Sequence, residues 1–426
     1  MSLCASVSHR PLSSSRAAGT SDSPEIRVLL GCLHADPRQL EACDTHSLTP
    51  DDWDRFVRLT RRQQVRGLAH QRLKQSGHWR AIPSATWQRF GSEYQEVARQ
   101  QLFMHFELSS LLTQLSTHDI SVIVLKGGFL GPVVYKDVGL REMRDVDVLV
   151  PKNQWHDAVA AAEAVGFARV HSDVAEGNPA LHPHITLSKI GLVEIHWTIT
   201  DPDEPGAIDP EPLWQRSRTL QVAGRSTRYL GPVDQLLHLC FHASFHHRCE
   251  FGLRPSCDIQ RLITHYGSDL DWDDLVRTCR ERRWVRGVAL TLALAHDLVG
   301  AVIPAEVTRQ LGSVEGALEA ARALVWSRGT KTALTLSTTL SGLGPGASWG
   351  DRWRTLRQRT FLPAEELLTS PDVRPGSKAL MQLRRFAYLM GRYFKPALGA
   401  IVPATPEETE LIRLRNFMSR WLQSSD

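Results

Sequence analysis

Asp145 and Asp147 are the first residues here whose type and spacing suggest chemistry. They lie inside "LREMRDVDVLV" (140–150), an otherwise apolar run carrying Val146, Val148, Leu149 and Val150. Such a run reads as a buried strand, and buried strands exclude unpaired carboxylates. In a strand, residues i and i+2 project from one face with Cα atoms about 6.5–7 Å apart. Asp145 and Asp147 then share a face, while Val146 and Val148 enter the core. Like charges this close raise each other's cost of ionisation. A divalent cation that takes hard oxygen ligands, Mg²⁺ or Mn²⁺, removes that cost. Glu194, in "LVEIHW" (192–197), adds a third carboxylate between Val193 and Ile195 on another apolar run. Three such acids facing one point make a site for two metal ions, which would activate an attacking oxygen and steady a leaving pyrophosphate.

Residues nearby fit anionic ligands. In "SVIVLKGG", Gly127 and Gly128 follow a β-branched run, so a strand closed by a tight turn is expected. Glycine N–H groups can approach phosphate oxygens closely, and Lys126 adds a positive charge. The GxxxxGK[ST] pattern of a P-loop is absent. Arg141 and Arg144 flank the aspartates and could hold phosphates in bidentate fashion, or simply pair with the acids. His196 shares the face of Glu194, as a nucleotide or acceptor contact or as a core histidine. His238, His242 and His246 fall at i, i+4, i+8 of one expected helix. They line a cleft or hold zinc, although the paired spacing of zinc ligands is missing. Asp258 is either a cleft residue or a helix cap. The basic runs 58–67 and 277–287 read as solvated helix faces, with an anionic partner such as RNA as the other reading.

These groups need elements to hold them. The chain has 426 residues, room for two or three domains of roughly 150 residues. With 42% hydrophobic and 23% charged residues it has an ordinary soluble composition, and a net charge of +4 is too small to name nucleic acid as the main partner. Seven scattered cysteines without a CxxC pair suit reduced thiols in a cytoplasm. The Ser-rich start has no apolar core and reads as a disordered tail over residues 1–24, not a signal peptide. The most apolar stretch, 288–303, carries His296 and Asp297 and is too short to span a bilayer, so no membrane role is expected.

Residues 25–117 read as a helical region, with a capping pattern at Thr49 and Asp52. Residues 118–230 read as an α/β core. It contains the two acid-bearing strands, a helix capped by Asn153 and stopped at Gly166, and a hairpin whose strands 184–187 and 192–197 flank "SKIG". Residues 231–340 read as a helical domain closing the cleft. Residues 341–426 form a helical extension with Gly/Pro-rich loops at 341–350 and 370–378. The fold class expected is α+β, a small mixed-sheet core flanked by N-terminal and C-terminal helical regions.

The ordered pattern "LKGG…Y…LREMRDVDVLV…VEIHW…HLCFHA" resembles the DNA polymerase beta-like nucleotidyltransferase superfamily, and more narrowly its bacterial family of uncharacterised nucleotidyltransferases. The likeness spans roughly residues 30–400. It implies that Asp145 and Asp147 bind Mg²⁺ or Mn²⁺, with Glu194 as third acid and proton acceptor. It implies triphosphate contacts from Gly127 and Gly128; Lys126, Arg141, Arg144 and His196 join them around the nucleotide on the reading of the residues themselves. It also implies transfer of a nucleoside monophosphate from an NTP, ATP first, to an acceptor hydroxyl. The acceptor is expected to be a small molecule, peptide or protein rather than nucleic acid. The chain departs from the superfamily's commoner residues at Gly128, where serine is frequent, and at Glu194, where aspartate is. Two other functions compete: a nucleotide-binding regulatory or scaffolding protein whose catalysis has decayed, and a zinc hydrolase built on the His238–His246 stripe.

Overall fold

The computed structural model describes residues 23–170, 184–200, 206–222, 225–327 and 406–424. Residues 1–22 of the tail expected over 1–24, and the expected loops at 341–350 and 370–378, lie outside the described residues, while Pro24 already belongs to a helix.

Helices open the chain: α1 (Pro24–Leu33), α2 (Arg38–Glu41), α3 (Pro50–Gln63), α4 (Arg66–Ser76) and the 34-residue α5 (Ser84–Thr117). The cap expected for α3 is present. Thr49 Oγ1 accepts from the Asp52 N–H, and the Asp52 carboxylate accepts from the Thr49 N–H at 2.8 Å. Two of the unpaired N–H donors at the helix start are satisfied in this way.

A seven-stranded mixed sheet follows, in the order β3-β4-β5-β2-β1-β7-β6. Its strands are β1 (Ile123–Val124), β2 (Asp145–Leu149), β3 (Ala168–Arg169), β4 (His184–Ser188), β5 (Leu192–His196), β6 (Arg218–Val222) and β7 (Arg225–Tyr229). The β2–β5 and β1–β7 pairs are parallel; the others are antiparallel. The parallel β2–β5 pair needs a crossover, which includes α7 (Trp155–Ala164). Trp155 of α7 packs on Trp197 with ring centroids 4.9 Å apart. Along β4 and β5, Ile185, Leu187, Val193 and Ile195 are buried, and they alternate with the polar residues of the other face. The β4–β5 hairpin forms as its sequence predicts.

Two local expectations are corrected. Lys126 and the two glycines do not form a tight turn. They open α6 (Lys126–Phe129), which runs into a π turn over Leu130–Tyr135. The change of direction is taken by Lys126 itself, at φ +39. The glycines are needed for space. A Cβ at Gly127 would stand 2.3 Å from Arg141 Nη1, and one at Gly128 would stand 2.7 Å from Val124 Cγ1. Asn153 does not cap α7. It lies in a 3-10 turn (Lys152–Gln154) ahead of the helix, and the chain leaves the helix through Gly166 at φ +92.

The second helical set comprises α8 (Glu211–Arg216), α9 (Pro232–Phe241), α10 (Arg254–Tyr266), α11 (Trp272–Glu281), α12 (Val285–Val299), α13 (Ala305–Leu311), α14 (Glu315–Ser327) and α15 (Pro406–Gln423). The apolar stretch 288–303 is buried in α12 as expected, but the helix stops at Gly300, φ +69. Trp53, Trp197, Trp284 and Phe241 are among the largest fully buried side chains, each worth about 1.5–3 kcal/mol or more of apolar burial. No helix among the described residues is long and apolar enough to cross a membrane.

Candidate active site

The register between β2 and β5 builds the site. Asp145 lies opposite Leu192, Asp147 opposite Glu194, and Leu149 opposite His196. Strand alternation then gathers Asp145, Asp147, Glu194 and His196 on one face. His184 of β4 pairs with His196 and joins them. Leu125 donates its N–H to the Asp147 carbonyl at 3.0 Å, so the chain leaves β1 beside Asp147 and delivers Lys126 to it.

Asp147 is the hub. Its Oδ1 accepts from Lys126 Nζ at 2.7 Å and lies 3.1 Å from His196 Nε2. The same Nε2 is 3.2 Å from Glu194 Oε2, and His184 Nε2 is 3.8 Å from Glu194 Oε1. Asp147 is 1% exposed and His196 7%. Burial alone would push the Asp147 carboxyl up. The Lys126 ammonium and the His196 hydrogen bond outweigh it and hold it well below the usual carboxylate range. Burial likewise opposes the charged forms of Glu194 and His196. Their mutual hydrogen bond, with Asp147 as the second acceptor, lowers Glu194 and raises His196. Asp145 behaves differently. Burial and the charges of Asp147 and Glu194 raise it, and no described group donates a hydrogen bond to it. His184 is pushed down to about 4 by burial and by His196.

Of the three acids only Asp145 is raised, by burial first and then by Asp147 and Glu194, and a divalent cation would relieve that cost. Asp145, Asp147 and Glu194 supply the hard oxygen donors such an ion takes, so the residues present fit it. The donor atoms that come closest are a different set, however. His184, Glu194 and His196 each place a ligand atom within 4.8 Å of the other two.

The flanking residues divide. Arg141 pairs with Asp258 rather than with the acids. Its Nε and Nη2 reach Asp258 at 3.3 and 3.0 Å, and Tyr135 donates its hydroxyl to the same carboxylate at 2.7 Å. Asp258 is thus neither a helix cap nor a free cleft residue, but a buried clamp on Arg141. Arg144 is exposed. The basic runs are not uniformly solvated. Arg66 grips Glu142 at 2.8 and 3.0 Å, and Arg282 reaches Asp234 at 2.8 Å.

The histidine stripe of α9 is broken by a π turn over His242–His246, which brings His247 to His242 at 3.1 Å. His238 is 3% exposed with an unpartnered Nδ1. Burial first, and then the Lys126 ammonium, hold it well below its ordinary value. A separate cleft of about 290 Å³, between the end of α5 and β7, contains none of these side chains.

Sequence reasoning missed Arg254. It opens α10 and is 8% exposed. Its Nη1 donates to the Glu142 carbonyl at 2.9 Å, its guanidinium lies 4.8 Å from the Phe251 ring centre, and its Nε has no partner. Burial and the neighbouring Arg141 pull it down to about 10, against the attraction of Asp258 and Asp145. Its one signal in the sequence was an arginine just before a helix-opening proline.

A model of the family of uncharacterised nucleotidyltransferases matches residues 49–300, more than half of the chain and the whole of this site. The chain belongs to that family. Membership of this nucleotidyltransferase family makes it a transferase that acts on a nucleotide. None of the curated proteins matches it. Among solved structures, the solution structure of the antibiotic-resistance factor ANT(2'')-Ia is similar at 13% identity and a TM-score of 0.34, over 43% of this chain and 94% of that one.

Proposed function

We propose that the protein moves a nucleoside monophosphate from an NTP, ATP first, to an acceptor hydroxyl and releases pyrophosphate. The observation that carries this is the β2–β5 register, which sets Glu194 beside Asp147 with Asp145 on the same face. Asp145, Asp147 and Glu194 would hold Mg²⁺ or Mn²⁺, which supplies charge neutralisation for the triphosphate and lowers the cost of ionising the attacking hydroxyl. Lys126 compensates Asp147 and, when the ammonium turns to the ligand, a phosphate oxygen. Gly127 and Gly128 present first-turn N–H groups that no preceding turn of α6 can engage. Arg254, whose guanidinium keeps an unpartnered Nε, contributes positive charge toward the leaving pyrophosphate, with Arg144 at the exposed rim. His196 orients Asp147 and Glu194, and Glu194 takes the acceptor's proton.

The small net charge favours a small-molecule, peptide or protein acceptor over nucleic acid. Among the described residues, five of the six cysteines are buried as thiols, which suits a cytoplasmic setting. The test is a thermal-shift screen of ATP, GTP, CTP and UTP, each with and without Mg²⁺ or Mn²⁺, on wild type and Asp147→Asn. A ligand at one hundred times its dissociation constant stabilises by about 2.7 kcal/mol. A metal-dependent shift with one nucleotide, lost in the variant, supports the proposal and names the base. No shift with any nucleotide would count against it. Binding without pyrophosphate release across many acceptors would favour the decayed, regulatory form.

A further inference from the structure

The β4–β5 hairpin brings two imidazoles to the acids. His184 and His196 are direct cross-strand partners, so both project from the face that carries Glu194. Their rings lie 4.7 Å apart, centroid to centroid. The donor separations are 3.8 Å from His184 Nε2 to Glu194 Oε1 and 3.2 Å from His196 Nε2 to Glu194 Oε2. Two ligands of one tetrahedral ion, each bonded at about 2.0–2.2 Å, stand about 3.4 Å apart. All three donors fall inside a span of 4.8 Å. Two imidazoles and one carboxylate form a borderline-soft set, suited to Zn²⁺ or Co²⁺ and poorly suited to Mg²⁺, which prefers an all-oxygen shell.

We infer that His184, Glu194 and His196 form a nitrogen-rich site for a divalent transition metal, of the Zn²⁺ or Co²⁺ type. Glu194 is common to this set and to the oxygen set of Asp145 and Asp147. The centre is therefore asymmetric, with a softer pocket on the hairpin side and a harder one on the β2 side. The site presupposes the metal-dependent transfer proposed above and adds to it which ion the hairpin selects.

The test is a titration of metal-stripped, full-length protein with Co²⁺, followed by d–d absorption and by paramagnetically shifted imidazole N–H proton signals. Mg²⁺ is then added as competitor. The expected result is a Co²⁺ ion with the intense bands of a four- or five-coordinate site and shifted signals from two imidazoles. Mg²⁺ should displace it only in large excess, and His184→Gln should remove one imidazole signal and weaken Co²⁺ at least tenfold. Co²⁺ binding with weak, octahedral, all-oxygen bands and no imidazole signal would overturn the inference while leaving the acid centre standing. Two imidazole signals persisting in His184→Gln would overturn it as well, because the nitrogen donors would then lie elsewhere. Failure of any divalent ion to bind would defeat both this site and the metal dependence proposed above. His242→Gln, at the separate histidine cluster where His242 and His247 lie 3.1 Å apart, should keep both imidazole signals, and loss of one there would overturn the inference even if His184→Gln does not fold.

Discussion

Two buried charge clusters lie side by side in this molecule, and they are finished differently. In the first, Asp258 accepts from Arg141 twice and from Tyr135 once, so acid and base close on each other. In the second, Asp145, Asp147 and Glu194 face Lys126 and His196, and Asp145 is raised by burial and then by the acids beside it. A closed cluster holds a fold together, whereas the second keeps one carboxylate, Asp145, raised and without a donor among the described residues. Breaking a buried pair leaves an uncompensated charge, while removing one of several crowded like charges relieves repulsion.

The sharpest way to break this comparison is Asp147→Asn. Nucleotidyl transfer should fall on the order of 10²–10³-fold or more, the scale seen when one electrostatic contact to a reacting centre is lost. The urea midpoint should fall too, because Lys126 loses its buried partner, so turnover is read on the folded fraction, where full turnover would remove the acids from the mechanism. Asp258→Ala should cost stability without the chemistry. Stranding Arg141 should cost about 3–5 kcal/mol in urea unfolding, with the intrinsic rate of the folded fraction changed much less.

Arg254→Met probes the seam between the clusters. Losing a charge-assisted contact of about 1.5–3 kcal/mol should weaken pyrophosphate binding by roughly ten- to a hundredfold. Stability should hold or rise, because a buried guanidinium with an unpartnered Nε is removed. Unchanged pyrophosphate affinity in a folded variant would take Arg254 out of the site.

The smallest effect concerns a third buried group, one without a counter-charge. His70 stacks between Trp87 and Tyr94, with ring centroids 4.5 and 4.9 Å away, and burial lowers it from 6.5 to about 4. The folded state therefore resists a proton that the unfolded chain accepts. Its contribution to stability is complete above about pH 6.5 and declines as pH falls toward 4. Urea midpoints from pH 7 to 4.5 should drop less steeply in His70→Gln than in wild type.

What was legible in the sequence follows from periodicity. Asp145 and Asp147 at i and i+2, Glu194 in an alternating run, the β4–β5 hairpin and the α3 cap are all local patterns, and each formed. The arrival of His184 depends on the hairpin's register rather than on any motif. The Arg141–Asp258 and Arg254–Glu142 contacts join residues 117 and 112 positions apart, which no local pattern predicts. Arg141 is the clearest case. Beside two aspartates it looks like a ligand clamp, yet its partner sits on α10. The His238–His246 stripe assumed an unbroken helical period, and the π turn after Phe241 shifts it.

Sequence distance also sets an order of events as the chain is made. Asp147 and His196 are 49 positions apart, so the acid cluster can close once the β4–β5 hairpin has emerged. Arg141 must wait for Asp258. Domains generally fold N-terminal first during synthesis, so for a time the nascent chain carries its reactive face with the neighbouring arginine still uncommitted. Completion of α10 then supplies Asp258, so the Arg141 clamp becomes available only after the acid cluster.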